Sequence, residues 1–317
     1  MDQRNILVAV DGSEQSFEIV RYVGQLLPAG RTKFTILHIQ DQIPESYWDL
    51  EDNPKVHNKV VGIRIWESHQ TKMMEDFMEK ARQTLKDMGH PGDAVSTQIR
   101  KRQVGVARDI VAEVKNGYQA LVVGRQGLSK LKDLIMGSIA NKLVNRLVNV
   151  PLWVVGGTPS PEKILVTTGG SERIMRNFNY VIDIFGAKHP DILVFHAIRG
   201  LKSFNSYTGP SMSTEDADWL KEVNAEFLKS KTEIEAAVQK GIQDMESRGA
   251  DKTRIKTKIV LEVQSRAEAI VDEAKNNGFG TIVTGRKSLS KLEELFVGRV
   301  SSKIIQMAKE QAVWVVN

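Results

Sequence analysis

The sequence predicts an α/β protein made of two fused copies of one open, doubly wound parallel sheet. Three observations predict it. Short continuous runs rich in Val and Ile alternate with segments whose apolar residues recur at helical spacing. The whole pattern then occurs a second time along the chain. The length of 317 residues suits two domains of ordinary size.

In the first half, Ile6–Val10, Phe34–Ile39, Ala120–Val123 and Leu152–Val155 are the apolar runs. Runs without polar alternation fit strands covered on both faces, as in a parallel sheet. Between them lie helical stripes: Phe17, Val20, Val23, Gly24 and Leu27, then Met73, Met74, Phe77, Ala81 and Leu85. Ile110, Val111 and Val114 form a third, and Leu131, Leu134, Ile135, Ile139, Leu143 and Leu147 a fourth. Such stripes are core faces. Strands alternating with helices give a doubly wound sheet with right-handed crossovers. The stretch from Gln40 to about Trp66 holds Pro44, Trp48 and Pro54 and reads as a long loop, a lid or an interaction surface. Its counterpart runs from about Arg199 to Asp218 and is rich in Ser, Gly and Thr.

The repeat is read from matched runs. Asn5-Ile6-Leu7-Val8 reappears as Lys163-Ile164-Leu165-Val166, an offset of 158 residues, and Leu37-His38-Ile39 as Phe195-His196-Ala197 at the same offset. Leu121-Val122-Val123-Gly124-Arg125 reappears as Ile282-Val283-Thr284-Gly285-Arg286, and Val150–Val155 as Gln311–Val316, both offset by 161. A period near a whole domain marks duplication, not a solenoid. Gly156-Gly157-Thr158-Pro159-Ser160-Pro161 reads as a linker, giving expected domains at 1–156 and 163–317 joined by 157–162.

Composition removes several classes of function. There is no cysteine, so disulfides, thiolate–metal sites and thiol catalysis are excluded. No apolar run is long enough to span a bilayer, and the N-terminus reads as a first strand, so the expectation is a cytoplasmic protein without membrane insertion. The formal charge of +5 divides evenly between the halves, and Arg100-Lys101-Arg102 reads as a solvated strand edge, so nucleic acid is not the expected partner. There is no Walker loop, no dinucleotide fingerprint, no H-E-x-x-H and no G-x-S-x-G elbow. His38 and His196 read as structural histidines at equivalent strand ends.

Ligands of open α/β sheets bind beyond the carboxyl ends of the strands. Three pieces of the first half converge there: Asp11-Gly12 after the first strand, Ile39 ending the second, and Gly124-Arg125-Gln126-Gly127 followed by Gly137-Ser138 opening the last helix. Glycines let main-chain amides approach a phosphate, and a helix N-terminus supplies unpaired N–H groups. Asp11 has the chemistry to accept from a base amino group or a ribose hydroxyl.

Gly124-x2-Gly127-x9-Gly137-Ser138, the opening Ile6–Ser13, His38-Ile39 and the closing Pro151–Val155 together resemble ATP-binding universal stress proteins, in a tandem arrangement covering nearly the whole chain. The resemblance implies a Rossmann-like fold of the adenine nucleotide alpha-hydrolase type, with five parallel strands per copy in the order 3-2-1-4-5. It implies ATP, with or without Mg2+, held by Val10, Asp11, Gly12, Ile39, Gly124, Arg125, Gln126, Gly127, Gly137, Ser138 and Ile139. Family members often carry His where Gln126 stands, which puts proton transfer in doubt. The second copy departs from the pattern, with Gly169 for Asp11, Ser288 for Gly127 and Arg299 for Ser138. It is therefore expected to pair with the first copy and not to hold ATP in the family manner, although a different ligand stays open. The resulting expectation is a nucleotide-dependent stress-response module with an unidentified protein partner and the option of a homodimer. The alternatives are a slow ATPase or adenylyl- or phosphoryl-transfer enzyme, and an interaction or apolar-ligand protein with vestigial sites.

Overall fold

The computed structural model describes residues 3–43, 57–127, 136–147, 149–169, 171–199, 214–286 and 297–317. The chain divides into two compact units, Met1–Val150 and Pro151–Asn317.

In the first unit the elements run β1 (Arg4–Ala9), α1 (Glu14–Leu26), β2 (Thr32–Gln40), α2 (His57–Asp87), β3 (Val95–Lys101), α3 (Val106–Val114), β4 (Ala120–Gly124) and α4 (Ser138–Arg146). Their strands lie in the order β3-β2-β1-β4 and all pair in parallel. Ile6, Leu7, Val8, Ile36 and Leu121 are fully or almost fully buried, because helices cover both faces of the sheet. α1 starts at Ser13, whose hydroxyl accepts from the Ser16 amide at 3.1 Å, and Glu14 complements the dipole in its first turn. α2 begins at His57, so the loop expected to run to Trp66 already ends there; residues 44–56 lie outside the described residues. Its opening turns carry too few regularly spaced apolar residues to announce a helix: Ile65 and Trp66 are exposed.

The second unit begins with β5 (Leu152–Val155), then β6 (Lys163–Thr167), α5 (Ser171–Phe185), β7 (Asp191–Arg199), α6 (Thr214–Ser247), β8 (Ile255–Val263), α7 (Arg266–Asn276), β9 (Thr281–Gly285), α8 (Arg299–Met307) and β10 (Ala312–Val316). Here too a helix, α6, replaces the last part of the loop expected over Arg199–Asp218; residues 200–213 are not among those described. The strand order is β5-β10-β9-β6-β7-β8.

The expected order 3-2-1-4-5 is met in full by β6–β10, which run β8-β7-β6-β9-β10 and pair in parallel, and β1–β4 repeat its first four places. The expected fifth strand of the first copy, β5, stands in the second unit and pairs antiparallel with β10, Trp153 opposite Trp314. The cause is apolar and aromatic: the two indoles are 0% exposed and stack with centroids 3.7 Å apart. Tyr180 of α5 seals the pair, its hydroxyl accepting from Trp153 Nε1 at 2.9 Å.

The two copies superpose in register as well as in order. Phe34 pairs with Val95 in the first and Ile192 with Ile255 in the second, and the helices that follow begin after Gly105 and Ser265. Across this third quarter the offset is therefore 160 residues.

Candidate functional site

The first unit carries a cleft of about 200 Å³ at the carboxyl ends of β1 and β4, beside the N-termini of α1, α3 and α4. Eight of the eleven residues expected from sequence line it: Val10, Asp11, Gly124, Gln126, Gly127, Gly137, Ser138 and Ile139. Gln126, Gly127 and Ser138 form an exposed rim. Ala9, Ser16, Val106, Ile110, Val123 and Ala140 complete the lining and were not singled out by sequence. Val106 and Ile110 belong to an apolar stripe of α3 whose other residues are core, and the stripe alone does not separate the two roles.

Asp11 is set in place by its own helix. Its Oδ1 accepts from the Ser16 hydroxyl at 2.5 Å and from the Ser13 amide at 3.1 Å, while its amide donates to Ser16 Oγ at 3.0 Å. The other carboxylate oxygen faces Gly127: a Cβ placed on Gly127 would stand 2.3 Å from Asp11 Oδ2. A side chain at 127 and this orientation of Asp11 exclude one another. The loop is closed by the Gly137 amide, which donates to Arg125 O at 2.8 Å. Gly137 precedes α4 without capping the helix through a side chain, and the first intrahelical bond runs from the Asn141 amide to Gly137 O at 3.0 Å. The amides of the first turn thus point toward the cleft rim with no intrahelical acceptor, a ready anion site.

Three expected residues stand apart from the lining. Ile39 is 7% exposed within β2. Gly12 adopts φ +83° and lies under Met74 of α2, where a Cβ would come within 2.8 Å of the methionine methyl. Arg125 turns its side chain inward and is 5% exposed, so its main chain, not its guanidinium, borders the loop. Neighbouring His38 binds Val10 O through Nδ1 at 2.9 Å, which holds the ends of β1 and β2 together. Of the basic run at the end of β3, Arg100 pairs with the buried Glu113, and Arg102, just past the strand, with Asp41 at 2.6 Å. Glu113 also accepts from Tyr118 at 2.8 Å and Asn116 at 2.9 Å.

The corresponding crest of the second unit is built differently. Thr167, Thr168, Thr284 and Ser301 stand where the first unit has Ala9, Val10, Val123 and Ala140. Thr284 Oγ1 and Ser301 Oγ are 2.9 Å apart, Ser301 donates to Gly285 O at 2.9 Å, and Thr168 bonds His196 Nδ1. Asn177 replaces Ile19 and donates to Thr167 O at 2.9 Å. Burial first, and then the Arg266 guanidinium, hold the His196 imidazole below its usual pKa. Arg286 is fully buried, like Arg125, and donates through Nε to Asn317 Oδ1 at 2.8 Å; burial pushes it down to about 10. Gly298 opens α8 with no side-chain cap. Ser288 lies outside the described residues.

No helix among the described residues is long and apolar enough to cross a membrane, and among them no three His, Asp or Glu side chains form a metal cluster. The sequence is 24% identical over 165 residues to the universal stress protein YxiE of Bacillus subtilis, covering 47% of this chain and 97% of that one. A universal stress protein of Archaeoglobus fulgidus matches the structure with a TM-score of 0.58 at 15% identity, covering 100% of this chain and 99% of its own. A protein of Pseudomonas aeruginosa described as functionally unknown matches with a TM-score of 0.53 at 16% identity, over 99% and 92%. At these identities the structural likeness speaks for the fold. A shorter universal stress protein of Archaeoglobus fulgidus, solved in complex with dAMP, covers 49% of this chain and 97% of its own at 17% identity, with a TM-score of 0.31. The sequence pattern of the universal stress protein family matches residues 3–156 and again residues 161–317. The chain therefore belongs to the universal stress protein family, with two of its domains in tandem.

Proposed function

We propose that the first unit binds ATP and acts as a nucleotide-dependent module of the stress response. The observation that carries this reading is the mutual fit of Asp11 and Gly127: the glycine has no side chain where the second carboxylate oxygen of a pre-oriented Asp11 stands. That oxygen suits a ribose or base donor. The α4 N-terminus and the main chain of Gly124–Gly127 suit the phosphates. Val10, Val106 and Val123 supply apolar wall for a base. Mg2+, where present, arrives with the triphosphate. The second copy is the companion domain, since it lacks the Asp11 carboxylate. Bound nucleotide changes a surface read by a partner protein in the cytoplasm.

The test is direct. Purified full-length protein is expected to release adenine nucleotide on denaturation and to bind ATP by calorimetry. Gly127→Val is expected to weaken binding at least 100-fold, about 2.7 kcal/mol, with an unchanged far-UV circular dichroism spectrum. No released nucleotide together with no heat of ATP binding would defeat the reading.

A further inference from the structure

The crest of the second unit has not simply lost a site; its charge and wetting are inverted. Superposed by register, Gly169 stands for Asp11, Arg266 for Val106 and Arg299 for Ser138. A carboxylate is removed and two guanidiniums are added, at three positions that line the first unit's cleft. Arg266 is the first residue of α7 and Arg299 the first of α8, and these two helices pack against each other. Neither arginine forms an ion pair with a described residue, whereas Arg100, Arg102, Arg248 and Arg254 all do. The uncapped start of α8 adds the partial positive charge of a helix N-terminus to theirs.

The walls change in the same sense. Thr168, Thr284 and Ser301 replace apolar residues of the first unit's cleft, and their hydroxyls bond one another, Gly285 O and His196. A separate sign lies beneath them. Asn177 is 1% exposed, and among the described residues its Oδ1 has no hydrogen-bond donor although its amide is engaged. That oxygen lies beneath the end of β9, 3.2 Å from where a Cβ on Gly285 would stand. A hydroxyl or a water reaching the end of β9 would satisfy that acceptor. The adjoining β7–β8 ladder slips register between Ala197 and Arg199, and Glu262 takes φ +59°, the kind of irregularity that re-aims side chains at binding edges.

We propose that this crest binds a small phosphate-bearing molecule that lacks an aromatic base, clamped between the Arg266 and Arg299 guanidiniums. A phosphate dianion matches two cations and a helix N-terminus, and guanidinium geometry favours two-point contact with its oxygens. Polar residues in place of Val10, Val123 and Ala140 disfavour the apolar face of a base, leaving a sugar phosphate or bare polyphosphate.

The experiment uses the full chain carrying Gly127→Val, so that the first unit's phosphate loop is silent, with inorganic pyrophosphate and ribose 5-phosphate as separate probes. Calorimetry is expected to show one site for at least one probe, weakening as NaCl is raised. Arg266→Val and Arg299→Ser, which install the first unit's residues, are each expected to weaken it at least 10-fold. Arg266→Lys is expected to lose less than Arg266→Val. As a check that does not depend on Gly127→Val folding, 31P line broadening of pyrophosphate is compared between otherwise native protein and the Arg266→Val, Arg299→Ser double variant, with thermal melts confirming both are folded. Broadening should be clearly smaller in the second than in the first. The proposal falls if neither probe binds, if the double variant binds equally well, or if ATP binds this unit more tightly than both probes. None of these results bears on whether the first unit binds ATP.

Discussion

The two crests start from the same strand ends and arrive at opposite chemistry. In the first, one carboxylate is fixed by two serines against a bare glycine, and the walls beside it are Val10, Val106 and Val123. In the second, the carboxylate is gone, hydroxyls bond one another across the wall, and arginines open both adjacent helices. Because the backbone frame is shared, the comparison isolates side chains. A fold delivers strand ends and helix N-termini; which ligand they suit is decided by a handful of residues set on them.

Four changes would break or sharpen this comparison. The largest effect is expected from giving the first crest the second's loop residues, Asp11→Gly with Gly127→Ser. ATP affinity should drop at least 100-fold by calorimetry, about 2.7 kcal/mol, and retention of it would mean the pair does not define the site. Next is the carboxylate behind each crest. Glu113 is 4% exposed and takes three donors, whereas its counterpart Glu273 is paired with Lys258. Glu113→Ala should cost about 2 kcal/mol in urea denaturation and Glu273→Ala less than about 1, because Glu273 has one cationic partner, itself half exposed, where Glu113 has three donors. Thr284→Val restores the first unit's residue and removes one hydroxyl of the Thr284–Ser301 pair; about 1 kcal/mol should be lost at the denaturation midpoint.

The smallest effect is a pH dependence. The folded pKa of His196 is lowered, by burial and then by Arg266. Above about 6.5 both folded and unfolded states are neutral at this residue, and its contribution is complete. As pH falls below that value the unfolded chain takes up the proton first, so stability declines toward the lowered folded pKa. Arg266→Val should raise the His196 pKa, followed by NMR, and shrink the loss of stability between pH 7.5 and 5.5.

Much of this was legible in the sequence because it rests on local rules. Apolar runs, helical stripes, the repeated offset and the glycine spacing each follow from periodicity or backbone freedom, and the structure brings Gly124, Gly127, Gly137 and Asp11 to one cleft. What was not legible depends on partners distant in sequence. Nothing in Leu152–Val155 states that its neighbour is β10 or that the pairing is antiparallel. Arg125 looks like a phosphate ligand by position, yet its side chain is packed inward. Val106 and Ile110 look like core, and only the placement of α3 brings them to the cleft.

The pairing of β5 with β10 has a practical consequence for anyone dividing the protein. Cutting at the glycine–proline stretch after Val155 strips β10 of its neighbour. The main-chain groups of Ala312–Val315 would face water as a raw sheet margin, with the Trp314 ring uncovered beside them. Such a fragment would tend to clump or to recruit a foreign strand. A cut placed before Pro151 keeps β5 on β10 and leaves that seam whole.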